Sequence, residues 1–332
     1  MLQYIVKRTI LALFTMILVS FLVFMVIQLP EGDYVDAYIR DQLEHQIMLE
    51  PPTEYEEFLL REQFGLNRPI LVQYGTWIYK IAVYGDFGHS YRKQKPIKEL
   101  IEERLFFTMV LSAATSIFIF LFTIPVGIYS AVRQHSVGDY VFTFLGFTGL
   151  AVPDFLLGLV LMYLFLSYFK MSVGGLFSGH YIDQPWSYGR VIDLLQHLII
   201  PMVVLGTAGM AGGIRILRNN LLDELQKPYV VTARSKGTKH WRVVAKYPFR
   251  ISVNPMISGI GGILPGLIGS SVIVSIVLSL PTLGPLLLEA LMMEDMFLAG
   301  TIILLLSALT VVGVLISDLM LVFVDPRIKM TG

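Results

Sequence analysis

The residues that could do chemistry in this 332-residue sequence are few and scattered. The six histidines, at positions 45, 89, 135, 180, 197 and 240, stand far apart, and no two share the spacing of a metal site. No cysteine is present, which removes disulfides, thiolate metal sites and cysteine nucleophiles together. There is no Gly-x-x-x-x-Gly-Lys-Ser/Thr loop, so the chain is not expected to bind ATP itself, and no cofactor is expected on it. His-Glu-x-x-His and Gly-x-Ser-x-Gly are missing too, so it reads as non-catalytic. Asp154 is the exception, an acid inside an apolar run directly after Pro153. An intramembrane carboxylate is costly and marks a functional site by default. The proline also frees backbone groups, so the same carboxylate could serve local amides at a helix break. Residue types alone leave both readings open.

The second concentration of chemistry is electrostatic. Between Arg215 and Arg250 nine lysines and arginines face only Asp223 and Glu224. Within it the run Pro228 to Pro248 is rich in helix formers and interrupted by Gly237. The pattern predicts a short helix ending at Gly237 and a second from about Lys239, because glycine past a helix end takes the left-handed conformation that terminates it. Such an elbow makes a compact knob suited to a groove on a soluble partner.

These residues need a frame, and the composition supplies it. Hydrophobic residues make up 55% of the chain and charged residues 15%, against about 25% charged in a soluble domain. A net charge of zero argues against a nucleic-acid binder. Six stretches reach the roughly 20 apolar residues that a membrane helix needs. They run from about Thr9 to Leu29, Phe106 to Val132, Tyr140 to Phe169, Leu194 to Ile216, Ile257 to Leu280 and Leu298 to Val324. The third is too long for one straight span and is interrupted by Pro153. The first is too long for a signal-peptide core and lacks a small-residue cleavage site, so it reads as a retained anchor.

Lys7 and Arg8 before the first span place the N-terminus in the cytoplasm, and alternation puts the basic loop there too. Arg133, Arg327 and Lys329 fall on the same side, and the C-terminus with them. The stretch 31–104 is then extracytoplasmic. Glu54 to Phe64 reads as a short amphipathic helix, and in the aromatic run Tyr74 to Tyr84, Trp77 and Tyr79 suit the headgroup level. Glycines at 206, 209, 212 and 213 in the fourth span, and at 259, 261, 262, 266 and 269 in the fifth, suit close helix packing. His197 reads as a packing or capping residue, and Asp318 as one that snorkels or pairs with a nearby base.

Four segments, in order and on the expected sides, carry a specific resemblance. Thr232-Ala233-Arg234-Ser235-Lys236-Gly237 resembles the coupling loop of ABC importer permeases, in the Thr-Ala-Arg-x-Lys-Gly form of the peptide/nickel branch. Gly85-Asp86-Phe87-Gly88-His89-Ser90 is similar to the segment before that branch's second span. The stretch from His197 to Pro201 resembles the start of its fourth span, and Val324-Asp325-Pro326-Arg327-Ile328 its ending. The resemblance covers essentially the whole chain. Departures are Val231 where the general motif has a glutamate, Pro248 where the branch usually has an alanine or similar residue, and Ser275 and Thr282 where it often has a glutamate and a glycine.

The resemblance implies an all-α integral membrane protein with the six-helix type I ABC importer permease fold. Its regions would be an anchor at 1–30, an extracytoplasmic region at 31–104, a five-helix core at 105–324 with the coupling loop at 215–250, and a cytoplasmic tail at 325–332. The implied partners are a second homologous permease subunit, two ABC ATPase subunits that hold the ATP, an extracytoplasmic solute-binding protein and membrane lipid, in the cell (inner) membrane. Thr232, Ala233, Arg234, Lys236 and Gly237 would couple to the ATPases. Pro153, Asp154 and Ser275 would serve the pathway or a helix break. The implied substrate is a peptide or oligosaccharide, or nickel. The competing reading is a carrier driven by an ion gradient, but no clear internal repeat and only one strong mid-membrane acid are visible. The neutral total is itself a cancellation: between Glu31 and Glu62 ten acids face only Arg40 and Arg61, opposite in sign to the inner loop.

Overall fold

A computed structural model of the chain describes residues 2–28, 34–44, 46–48, 50–90, 92–169, 174–182 and 184–324. For residues 260–271 the description covers the helical backbone alone, so the packing expected of Gly261, Gly262, Gly266 and Gly269 lies outside it. Glu31, Asp33, His45 and the tail 325–332, with its Asp325-Pro326-Arg327-Ile328 segment, also lie outside the described residues.

The described chain is helical almost throughout, as expected. α1 (Leu2–Ile27), α2 (Tyr34–Glu44), α3 (Glu54–Phe64) and α4 (Ile70–Tyr79) come first, and α4 runs on into a π-helical turn at Lys80–Tyr84. A short antiparallel hairpin of β1 (His89–Ser90) and β2 (Lys95–Pro96) pairs His89 with Pro96 and Ser90 with Lys95. Then come α5 (Ile97–Val132), α6 (Val137–Ala151), α7 (Asp154–Leu164), α8 (Tyr188–Leu225), α9 (Pro228–Ser235) and α10 (His240–Lys246). α11 (Pro248–Ser252), α12 (Asn254–Val277), α13 (Leu283–Met292) and α14 (Met296–Val324) complete the order.

Among the described residues, four helices are long and apolar enough to cross a membrane: Ile5–Ile27, Ile97–Val132, Tyr188–Leu225 and Met296–Val322. α6 and α7 form a fifth candidate, bent by 105°. The bend falls at Pro153, which caps α7 and cannot extend α6. α12 occupies the remaining expected position with 24 residues and no charged side chain. Several helices overrun the expected spans, α1 by starting at Leu2. α5 begins at Ile97 because the polar stretch around Glu99, Glu102 and Arg104 continues the helix after hydropathy has stopped signalling a span. α8 begins at Tyr188, where the Ser187 hydroxyl accepts the Arg190 N–H at 3.2 Å as an N-cap.

The chain divides into two compact units. The first combines Met1–Ile10, Phe107–Pro281 and Thr310–Gly332. Its core joins Phe107 and Leu111 of α5, Leu198, Val204 and Leu205 of α8, and Val274 and Leu278 of α12. Close approach of α5 and α8 depends on glycine. A Cβ on Gly206, Gly209 or Gly213 would fall 2.5, 2.8 and 2.9 Å from Phe118, Ile119 and Thr123. The loop before α8 is held by Arg190, whose guanidinium lies 4.6 Å from the Phe177 ring and 4.7 Å from the Trp186 ring and donates to the carbonyls of Ile182 and Gln184. Asp193 accepts the Ser178 N–H at 2.7 Å and its hydroxyl at 2.6 Å, and His197 packs below with Nδ1 2.8 Å from the Asp193 carbonyl. Asp318 pairs with Arg8 at 3.0 Å, the pairing alternative for that acid.

The second unit combines Leu11–Phe106 and Thr282–Leu309. Ile97, Ile101, Leu283, Leu286, Leu298 and Ile302 form one core. The hairpin is tied down by buried carboxylates. Asp41 accepts from Arg92 at 3.3 Å and Gln94 at 3.1 Å, and Asp295 accepts the Ser90 hydroxyl and, at the start of α14, the Leu298 N–H at 3.1 Å. Burial pushes the Asp295 carboxyl above the usual carboxylate range, against the pull of those two bonds. Trp77, expected at the headgroup level, is covered by the chain itself. It is buried against α1, its ring 5.5 Å from Phe24, while Tyr79 is exposed.

α3 spans the residues expected of it, Glu54 to Phe64, and its start is a capping box. The Thr53 N–H and hydroxyl donate to the Glu56 carboxylate at 2.8 and 2.9 Å, and the Glu56 N–H returns a bond to the hydroxyl. The Thr53 N–H, then its hydroxyl, holds the Glu56 carboxyl below the usual glutamate range. A depressed carboxyl stabilises the helix above the unfolded pKa and stops doing so as pH falls through the folded one. Amide protection in the first turn of α3 is therefore expected to fall on acidification below the ordinary glutamate range. Thr53→Ala should produce the same loss at neutral pH. Unchanged hydrogen exchange in that variant would show that the box does not hold the helix.

Candidate functional site

The basic loop between α8 and α12 folds into three short helices. Pro228 opens α9 at the first helical position, where its missing N–H costs nothing. α9 stops because Gly237 turns left-handed, with φ +76°, and its N–H donates to the Arg234 carbonyl at 2.9 Å. α10 then folds back on α9. Val230 and Ala233 of α9 and Val243 of α10 bury one another beside Leu225. The small side chain at Ala233 thus lets α9 and α10 approach each other, rather than facing outward. Pro248 is buried at the start of α11.

The expected coupling residues divide by exposure. Ala233 is buried, whereas Thr232, Arg234, Lys236 and Gly237 are exposed. The Thr232 hydroxyl donates to the Pro228 carbonyl at 2.9 Å, so it braces α9. Among the described residues Arg234, Lys236 and Lys239 have no carboxylate partner. Arg242 lies over the Trp241 ring at 5.2 Å and Lys246 over Tyr247 at 5.5 Å. Trp241 is 63% exposed. The tip therefore presents unpaired cations beside exposed aromatic surface, on an apolar pin that fixes its shape. That combination suits a groove with acidic walls and an apolar floor.

Two features of this region lie beyond the reading of the sequence. Trp241 is one. The other is an ion pair in which Arg218 of α8 donates from Nε and Nη2 to the two oxygens of Asp139 on α6, both at 2.9 Å. Asp139 is buried and also accepts the His135 N–H at 3.0 Å. The partners stand 79 residues apart, so no local pattern announces them. The one available signal was Ser136, three residues ahead of Asp139, which marks a helix start.

Of the expected pathway residues, Pro153 and Asp154 sit at the bend between α6 and α7, and Ser275 is fully buried near the end of α12. The Leu156 and Leu157 amides donate to the Pro153 carbonyl at 3.0 and 3.1 Å. Among the described residues the Asp154 carboxylate has no hydrogen-bond partner, so it does not serve the amides freed at the break. Among the described residues no group of three or more histidine, aspartate or glutamate side chains is placed to hold a metal ion.

Comparison with known proteins fits this division into apolar spans and a basic elbow. Residues 123–330 match the family described as binding-protein-dependent transport system inner membrane component. The chain is 35% identical over 331 residues to the oligopeptide transport system permease protein AppB of Bacillus subtilis, covering 99% of this chain and 100% of that one. It is 30% identical over 329 residues to the glutathione transport system permease protein GsiC of Salmonella typhimurium, with 99% of each covered. It is 29% identical to the dipeptide transport system permease protein DppB of Alkalihalophilus pseudofirmus, over 99% of this chain and all of that one. With likeness running from α1 to the tail and the family match enclosing both the bend and the elbow, this chain belongs to the binding-protein-dependent inner membrane components, the non-catalytic permease subunits of ABC importers.

Proposed function

We propose that this chain is one of two permease subunits that form a peptide pathway through the cell membrane, and that its α9–α10 elbow seats in a cleft of an ABC ATPase. Both termini face the cytoplasm, and six spans cross the bilayer, with α12 the fifth of them. The ATP is held by a pair of ATPase subunits, and an external binding protein delivers the peptide to the acidic region around α2 and α3. The named relatives handle oligopeptides, glutathione and dipeptides, which supports a peptide substrate.

The observation that carries the coupling reading is the elbow itself. Its left-handed Gly237 and its pin of Val230, Ala233 and Val243 make it rigid, while Arg234 and Lys236 are exposed and have no carboxylate partner among the described residues. A rigid knob transmits the closure of an ATPase pair, whereas a flexible loop would absorb it. Because the chain has no cysteine, single cysteines are clean probes. Ser235→Cys should form a crosslink to the ATPase in the assembled importer, and the yield should change on ATP binding. A crosslink to lipid or to the binding protein instead would overturn the assignment.

Asp154 is read as a pathway residue because the local amides do not use it. An importer carrying Asp154→Asn should assemble normally and take up peptide at least about tenfold more slowly, the effect of losing a charge placed where charge is costly. Uptake at the unaltered rate would show that no charge is required at the bend.

A further inference from the structure

Eleven consecutive residues between Arg68 and Lys80 carry no charge, although they lie in the region expected to be outside the membrane. They are Pro69, the N-cap, and the ten residues of α4, which the π-helical turn extends to Tyr84. One face of this segment packs on α1 at helical spacing. Tyr74, Trp77, Ile78 and Ile81 join Val19, Val23, Phe24 and Ile27 in a single cluster. The opposite face has no such cover, and it is equally apolar. On it Val72 is 45% exposed, Tyr79 55% and Val83 57%, and Leu71, in the first turn ahead of the packed stripe, is 71% exposed. A helix apolar on all sides does not suit water.

The position of α4 along α1 says what covers it. α1 has the length and composition of a membrane span from Ile5 to Ile27. The Tyr74 hydroxyl lies 2.7 Å from the Ser20 Oγ, and its ring lies 5.3 Å from that of Phe21. Ser20 stands seven residues before the end of the span, which is about 10 Å inside it at 1.5 Å per residue. α4 therefore docks on α1 well inside its apolar, span-length stretch. The outward residues of α1 at these levels, Ile17 at 62% and Leu22 at 53%, are exposed in the same way. The two apolar faces are continuous along one helix pair. The polar boundary is also marked. Gln28, just past the end of the span, shares a cavity of about 440 Å³ with Arg68, Lys80 and Asp86. Gly85, at φ +61°, turns the chain out of the helix on that side.

We propose that residues 70–84 lie in the outer leaflet of the bilayer, with lipid acyl chains against Leu71, Val72, Tyr79 and Val83, and with Arg68 and Lys80 at the headgroup level. The region before the second span would then be anchored twice, once by α1 and once by this shallow segment. The Gly85–Ser90 motif would be held at the membrane surface rather than free above it.

The test uses the assembled importer in phospholipid nanodiscs. Single cysteines at Leu71, Val72, Tyr79 and Val83, with Gln63 of α3 as a water-exposed control, carry nitroxide labels. Collision with oxygen, which partitions into lipid, is compared with collision with a water-soluble nickel chelate. All four positions should favour oxygen several-fold, and Gln63 should favour nickel. Nickel access at the four positions equal to that at Gln63 would overturn the proposal by placing the face in water. Protection from both reagents would overturn it by showing that a protein partner, not lipid, covers the face. Peptide uptake by the unlabelled Val83→Cys importer confirms that the probe positions report on the folded complex.

Discussion

Replacing Gly237 by valine is expected to abolish ATP-driven uptake while leaving the chain in the membrane, whereas Gly237→Asn should retain most of the activity. The backbone at this position has φ +76°. An L-residue pays about 1–2 kcal/mol to stand there, and a β-branched one pays more. Asparagine tolerates the left-handed region best among residues with a side chain. A Cβ at Gly237 meets no atom of this chain within 4 Å, so no internal clash adds to the backbone cost. The strain is relieved only by straightening the turn. That would draw α10 away from α9 and open the pin of Val230, Ala233 and Val243. A population shift of about 1.4 kcal/mol is already tenfold, so a valine should leave only a small fraction of elbows in the docking shape.

The two substitutions separate causes that one alone would confuse. If strain governs, valine is inactive and asparagine is not. If the ATPase groove has no room for any side chain at the tip, both fail alike, and substrate-stimulated ATP hydrolysis is lost with uptake. Proteoliposomes containing the whole importer give both rates. Normal uptake with Gly237→Val would remove the elbow from the coupling route altogether.

The elbow was legible in the sequence because its signals are local. Proline at a helix start, glycine past a helix end and a surplus of cations each act within a few residues. α3 was legible for the same reason, its threonine and glutamate standing three apart. The spans were legible through composition, but their ends were not. Ile97 to Leu105 carries enough charge to hide from hydropathy while keeping its helix, and the bend at Pro153 is an angle that no periodicity encodes. Direction of burial was least legible. Trp77 is an amphipathic aromatic that suits a headgroup belt, yet its partner Phe24 comes from a helix fifty residues away. Ala233 belongs to a motif expected to face a partner, yet it faces α10. In both cases a neighbour distant in sequence, or across a turn, decides which side is inside.

The Asp139–Arg218 pair is the extreme of that kind, and its loss should be the most damaging single change to stability among those considered. Asp139 is 2% exposed with Arg218 in place, and Arg218→Ala leaves its carboxylate with the His135 N–H but without either guanidinium bond. Breaking a buried ion pair by removing one partner costs about 3–5 kcal/mol, because the other charge stays behind unpaired. The Arg218 side chain is 21% exposed, which allows some hydration and places the expected loss near the lower end, about 3 kcal/mol. Asp139→Asn should cost less. The guanidinium left behind sits on a long stem at the protein edge and can turn toward water, whereas the aspartate, on a short side chain in the first turn of α6, cannot. The consequence for transport follows from position. Arg218 lies on the last turns of α8, directly ahead of α9, so the pair holds the helix that carries the elbow against α6. Loosening it should lower uptake more than it lowers ATPase docking. Thermal unfolding of the two single variants and the double variant in detergent gives the coupling energy directly. A double variant more stable than Arg218→Ala alone would show that the stranded carboxylate is the damage. Two equal, additive losses would show instead that the two residues act separately, and that α8 is positioned by the packing of Gly206, Gly209 and Gly213 on α5 without help from the pair.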